Sequence, residues 1–534
     1  MANLTGLPPE IFGAVLSHLP NCDVKNLRLA SSSLARAAQL RLNRVFLSPH
    51  PRDIQVLKAL AKNDDYRTRI VELVYDDARF LRSLETEEDV AFADLEDPPP
   101  EGFPTWYMRI YEKNLETIEG YKGPYVERPD HQGIRKRLDS RLSLRQSYKL
   151  YQKIVKEQDK IITAGGDVKA LEHALKRFPN LRRIALTPVA HGIPFLPRYE
   201  TPMIRSLPDG FIYPIPRGWP KTVSHSTMPV ALPWDSEEEK NKWRGVRLIL
   251  RTLAQQPNSI SEFVVDVNQL LMGLSCRMFD QPNQEFDDLV ALLKRPNFSR
   301  IDLALFIAGQ DRKGWNVYRS GLLHRALAEA KDLQHVSLVT GLVPPPSAET
   351  SQRFNTDGSE HFVPLRTTFP VDQWKQLRHF GLSRLIVKQD DLVDFLAALP
   401  PTLRSVELSF LFFLKVNSGD YRGLVSDVRN SIGWRERPAS ERPRITICLE
   451  SDPPRPGFSV DISRETEDFV YGDGENPFIE NKGKPVNRVD RGKGVGIQRN
   501  SFRPADDKPF AHAMELMNMG IYEKDDWYHR GNRW

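Results

Sequence analysis

Leu181-Arg-Arg-Ile184-Ala-Leu186 is the stretch that decides the fold. Its apolar-x-x-apolar-x-apolar signature returns at Ile260-Ser-Glu-Phe263-Val-Val265, Phe298-Ser-Arg-Ile301-Asp-Leu303 and Leu333-Gln-His-Val336-Ser-Leu338. It returns again at Leu377-Arg-His-Phe380-Gly-Leu382 and Leu403-Arg-Ser-Val406-Glu-Leu408, and Ile445-Thr-Ile447 closes the series without a leading apolar position. Alternation with period two predicts strands with one buried face. Amphipathic stretches at 286–294, 322–330, 392–399 and 424–432 precede several of them. Each unit thus reads as a helix, a short Pro- or Asn-containing break, and a strand. Repeating such a unit stacks parallel strands side by side with helices outside.

From residue 166 to 450 the pattern resembles an irregular leucine-rich repeat. Third apolar positions at 265, 303, 338, 382, 408 and 447 lie 38, 35, 44, 26 and 39 residues apart, where a regular repeat runs about 20–29. The signature Asn is missing as well. The units are therefore either leucine-rich repeats with insertions or a looser α/β solenoid. Between 186 and 265 lies a long insertion whose ten prolines, Pro188 to Pro233, cannot continue a strand ladder. Strand residues flanked by the inward apolar positions point to the concave face. That face is expected to carry Arg183, Thr187, Glu262, Asp266, Arg300, Asp302, His335, His379, Glu407 and Arg444. A mixed-charge set on a rigid sheet suits recognition of a protein better than a mostly apolar small-molecule pocket.

Working outward to the N-terminus, Leu7-Pro-Pro-Glu-Ile11 opens a run of short amphipathic helices. Phe12, Val15, Leu16 and Leu19 continue the first, Pro20-Asn21 breaks it, and Asp23 introduces Val24, Leu27 and Leu34. Proline is tolerated in a first helical turn, where a missing N–H costs little. A unit under about 50 residues is marginal alone and gains from a partner. Together with Leu27-Arg-Leu29, Ser31-Ser-Ser-Leu34 and the following Val45-Phe46-Leu47, residues 1–47 resemble an F-box of the filamentous-fungal type. The pattern departs from many F-boxes at Ala30-Ser31, where a bulkier residue is common. The resemblance implies a non-catalytic substrate-receptor subunit of a ubiquitin ligase. It would bind a Skp-type adaptor, and through it a cullin scaffold, with Leu7, Pro8, Ile11, Leu16, Leu19 and Leu27 facing the adaptor. The rest of the chain would recruit an unknown protein substrate. The alternative is a scaffold protein that binds such an adaptor without ubiquitin transfer.

The expected fold class is therefore α/β: a three-helix F-box, a mainly helical region over 48–165, the repeat array over 166–450 and a loop-rich tail over 451–534. Within 48–165, residues 52–82 read as a helix followed by a strand at 70–75. Glu85, Glu87, Glu88, Asp89, Asp94, Glu96, Asp97 and Glu101 make an acidic loop with no basic residue between Arg82 and Arg109. A basic helical stretch follows from Ile134 to Ile161, with Arg137, Arg141, Lys149, Lys153, Lys156 and Lys160 flanking its apolar stripe. It reads as a solvated face or as an electrostatic dock for an acidic partner, the upstream acidic loop itself included. In the tail, 510–519 is an amphipathic piece that suits a cap on the last strand edge.

Composition narrows the function. Of 534 residues, 75 are basic and 70 acidic, for a net charge of +5, which offers no global attraction to nucleic acid or membrane. Three distant cysteines, Cys22, Cys276 and Cys448, exclude a disulfide framework and disfavour a cysteine zinc site. The longest apolar run, 408–414, is far too short for a membrane span. No secretory signal opens the chain, and the expectation is a cytoplasmic or nuclear protein. There is no P-loop, dinucleotide glycine fingerprint, nucleophile elbow or paired-histidine motif, so neither catalysis nor a cofactor nor a metal is expected. Asp76-Asp77 and Asp390-Asp391 read as turn and cap residues.

Overall fold

The structure is a computed structural model that describes residues 6–19, 21–82, 103–119, 137–220, 231–310, 315–342, 362–414, 419–451, 457–478, 496–504 and 507–509. It is an α/β chain built on one large parallel sheet. The strands are β1 (Arg44–Leu47), β2 (Glu72–Asp76), β3 (Arg183–Thr187), β4 (Glu262–Val265), β5 (Leu274–Ser275), β6 (Arg300–Phe306), β7 (His335–Thr340) and β8 (His379–Ser383). After these come β9 (Ile386–Val387), β10 (Ser405–Ser409), β11 (Phe412–Phe413) and β12 (Arg444–Thr446). The lateral order β1-β2-β3-β4-β6-β7-β8-β10-β12 follows chain order, with β5 pairing β6 at one end and β9 pairing β11 separately.

Each signature quoted above lands in this sheet. Ile184, Phe263, Ile301, Val336, Phe380, Val406 and Ile445 share one lateral register and enter one continuous core. A backbone ladder begins one step earlier: the N–H groups of Ser299, Gln334, Arg378, Arg404 and Arg444 donate to the carbonyls of Ser261, Ser299, Gln334, Arg378 and Arg404. Helices Pro51–Lys62, Gly166–Arg177, Arg244–Gln255, Gln284–Leu293, Leu322–Ala328, Gln389–Ala397 and Tyr421–Ser431 bury their apolar stripes in the same core. Several start on side-chain caps: Asn283 accepts from Phe286 N at 3.0 Å and Asp420 from Gly423 N at 2.7 Å.

The sheet starts earlier than residue 166. β1 and β2 carry the same signature, as Leu42-x-x-Val45-x-Leu47 and Ile70-x-x-Leu73-x-Tyr75, and they pair in register with β3. Asp167 in the first turn of helix Gly166–Arg177 seals this junction. It accepts from Tyr75 Oη at 2.7 Å and from Arg244 Nη1 at 2.5 Å and Nη2 at 3.1 Å, fully buried. Burial opposes the Arg244 charge, but its hydrogen bonds to Asp167 outweigh that and raise the guanidinium pKa.

A second core joins helices Thr105–Glu119 and Leu144–Thr163 to the proline-rich insertion through Tyr107, Tyr151, Ile154, Met203, Phe211 and Ile212. In its described residues the insertion is thus packed. The basic stretch is not one helix from 134: the chain turns at 140–143, and Ser143 starts Leu144–Thr163 with a capping box completed by Gln146. Asp77 is more than a turn residue, since its carboxylate holds Trp219 Nε1 at 2.6 Å and Gly245 N at 3.0 Å. Asp390 lies inside the first turn of Gln389–Ala397, whose cap position is Lys388, while Asp391 accepts from Leu365 N. A four-stranded antiparallel sheet follows the array: β13 (Cys448–Glu450), β14 (Phe458–Asp461), β15 (Ile497–Asn500) and β16 (Lys508–Pro509). The acidic loop and the 510–519 piece fall outside the described residues.

Candidate protein-binding surfaces

Helices Pro9–His18, Asn21–Ala30 and Ser32–Ala37 form a small module. Ser31 caps the third by accepting from Leu34 N. Among the described residues the module's own core is Phe12, Val24 and Ala38, ringed by half-buried Leu7, Leu16, Leu19, Leu27 and Leu34. Pro8 is exposed, Ile11 is 52 % exposed and Leu29 is 85 % exposed. Four of the six expected adaptor-facing residues, Leu7, Leu16, Leu19 and Leu27, therefore share their surface with the internal core, while Pro8 and Ile11 face outward. Polar ties hold the module together. Arg41 donates to Ser17 O at 2.6 Å and to Leu19 O, and its N–H donates to Asn21 Oδ1 at 3.0 Å. Arg69, just ahead of β2, donates to Gln39.

On the sheet face away from the helices, register brings six of the expected residues into one lateral row: Arg183, Glu262, Arg300, His335, His379 and Arg444. Arg44, Glu72 and Ser405 complete it and were missed in the sequence reading; the same strand signature marks all three positions. Along half the row the charges alternate and pair. Arg44 Nε lies 2.6 Å from Glu72, and Arg183 Nε lies 2.6 Å from Glu262. Two residues further along their strands, Asp302 and Glu407 belong to the next row. Asp302 accepts from Arg300 Nη2 at 2.5 Å, and His335 Nε2 lies 2.9 Å from its other carboxylate oxygen. Burial pushes its carboxyl up, yet these partners outweigh burial and hold it below its ordinary value.

His335 stacks on His379 with centroids 4.0 Å apart, and His379 Nδ1 is hydrogen bonded to Ser405 Oγ at 2.7 Å. Burial, then the neighbouring His335, lowers the His379 pKa to about 4. The carboxylate contact and the hydroxyl contact thus sit on different imidazoles, and neither ring bridges both. Glu407 is pushed upward, mainly by burial.

Asp266 and Thr187 are turned to structural use. The insertion sends Tyr199 across the sheet face, where its hydroxyl donates to Asp266 at 2.5 Å and its ring packs on Phe46 and under Arg44. Arg198 donates to the same carboxylate at 3.2 Å and reaches Ser501 O at 3.2 Å, joining the insertion to the C-terminal sheet. Buried Thr187 accepts from Val189 N. Tyr199 and Arg198 could not be read from the strand pattern, because their place depends on how the insertion folds back. Arg444, on the outermost strand, is exposed.

Among the described residues no group of three or more His, Cys, Asp or Glu is placed to hold a metal ion, and no helix is long and apolar enough to cross a membrane. No family model and no curated protein matches this chain.

Proposed function

We propose that this chain is a substrate-receptor subunit of a Skp–cullin–F-box ubiquitin ligase, with an F-box at 1–47 and a leucine-rich-repeat-like array behind it. One observation carries the reading: a three-helix module with three buried core residues among those described leaves Pro8 and Ile11 outward at its proline-opened end. Such a module gains stability from a second protein that covers that end. The adaptor takes Leu7, Pro8, Ile11, Leu16, Leu19 and Leu27 as a shared edge, burying on the order of 1,600 Å² in total. The row from Arg44 to Arg444, with Asp302 and Glu407 behind it, offers the protein target a rigid pattern of charge and imidazole. Its internal pairs fix those side chains in place, which lowers the entropy lost on binding.

The test is affinity purification of the full chain from cells, with and without Pro8→Ala/Ile11→Asp. Co-purification of a Skp-type adaptor together with a cullin, lost in the variant, supports the proposal. Adaptor without cullin, and no protein whose turnover depends on the chain, would make it a non-ligase scaffold. Recovery of neither partner defeats both.

A further inference from the structure

We infer that the groove along helix Leu144–Thr163, flanked by Trp106 and by Leu81 and Arg82, is a docking site for an acidic peptide segment with an apolar anchor. The inference stands whether or not the chain binds a ligase adaptor. The groove encloses about 680 Å³. Its floor is aromatic and apolar: half-buried Trp106 and Tyr148 with buried Tyr151 and Val155. The rings brace one another, with Trp106 5.9 Å from Tyr151 in an edge contact and Tyr107 4.9 Å from Tyr148. At the rim Leu81 is 46 % exposed, although hydrogen bonds from Leu81 N to Tyr151 Oη and from Tyr151 Oη to Leu81 O fix its backbone. A preformed aromatic shelf beside an exposed leucine is the anatomy of an anchor pocket.

Charge selects the occupant. Among the described lining residues Arg82, Lys156 and Lys160 are basic and Asp159 is the one acid, already holding Arg82 Nε at 2.8 Å and Nη2 at 2.6 Å. The described rim is therefore net positive, and its two lysines are exposed. They are one helical turn apart, about 6 Å. That is close to the two-residue repeat of an extended chain, about 6.7 Å. An extended Glu-x-Glu sets both carboxylates against the two ammonium groups while a following Phe or Leu drops onto the Trp106–Tyr148 shelf. A nucleic-acid backbone needs a longer basic track than two lysines and one paired arginine provide.

The test is fluorescence anisotropy of a labelled Ser-Glu-Ser-Glu-Ser-Phe-Leu-Ser peptide with the full chain at low and high salt. Saturable, salt-sensitive binding is expected, weakened about tenfold or more by Lys156→Glu/Lys160→Glu and absent for the peptide with Lys in place of Glu. Both lysines are exposed, so the variant keeps the fold, checked by its circular dichroism. No binding, equal binding by the variant, or binding of the Lys peptide overturns the inference. Binding seen only after residues 83–102 are replaced by a Gly-Ser linker also overturns it, because the groove then belongs to the chain's own acidic stretch.

Discussion

Replacing Arg244 by Met tests whether the sheet is one cooperative body from β2 onward. Arg244 makes two hydrogen bonds to Asp167, whose carboxylate is fully buried and otherwise accepts only from Tyr75 Oη at 2.7 Å and Val168 N at 3.0 Å among the described contacts. Removing one partner of a buried pair costs about 3–5 kcal/mol, because the other charge is left uncompensated. The Arg244 side chain keeps 19 % exposure, and the two remaining donors still serve Asp167, so the lower end, about 3 kcal/mol, applies. The partner variant Asp167→Asn should cost a similar amount, and the double variant much less than the sum. Urea unfolding followed by tryptophan fluorescence reads all three. A loss below about 1 kcal/mol for Arg244→Met, or strict additivity, would refute the reasoning.

Other outcomes follow from the same contacts. Phe12→Ala empties a third of the N-terminal core, a truncation that costs about 3–5 kcal/mol in a packed site; hydrogen exchange should show residues 7–38 unprotected while β3 to β10 stay protected. His379 should remain neutral by NMR down to about pH 4. Since the unfolded chain takes up that proton first, near 6.5, stability is full above that pH and falls as pH drops from about 6.5 to about 4, a loss that His379→Gln reduces. Gly245→Ala should destabilise, because a Cβ there would lie 2.6 Å from the Asp77 carboxyl carbon, and a lowered melting temperature in calorimetry checks it.

Much of the array was legible because strand side chains alternate strictly. Once Ile184 and Leu186 are inward, Arg183 is outward, and the same count places Glu262, Arg300, His335, His379 and Arg444. The signature at Leu42–Leu47 and Ile70–Tyr75 was equally present, but the first reads as the end of the F-box and the second as a lone strand in a mainly helical region, so neither brings Arg44 or Glu72 into the row. Pairing between charges was not legible. Whether Glu262 meets a target or Arg183 depends on lateral register, which no local pattern specifies. The use of Asp266 as a seat for Tyr199 depends on an insertion whose prolines say only that it is not a strand. The break at 140–143 was hidden because Leu138 and Leu142 fit a helical stripe equally well as one helix or two.

Calorimetric titration of the full chain with a purified Skp-type adaptor tests the central claim most directly. A one-to-one complex of micromolar or tighter affinity is expected, at least about 8 kcal/mol, weakened about a hundredfold or more by Pro8→Ala/Ile11→Asp. No measurable heat, or a variant that binds as tightly as the unaltered chain, would contradict it.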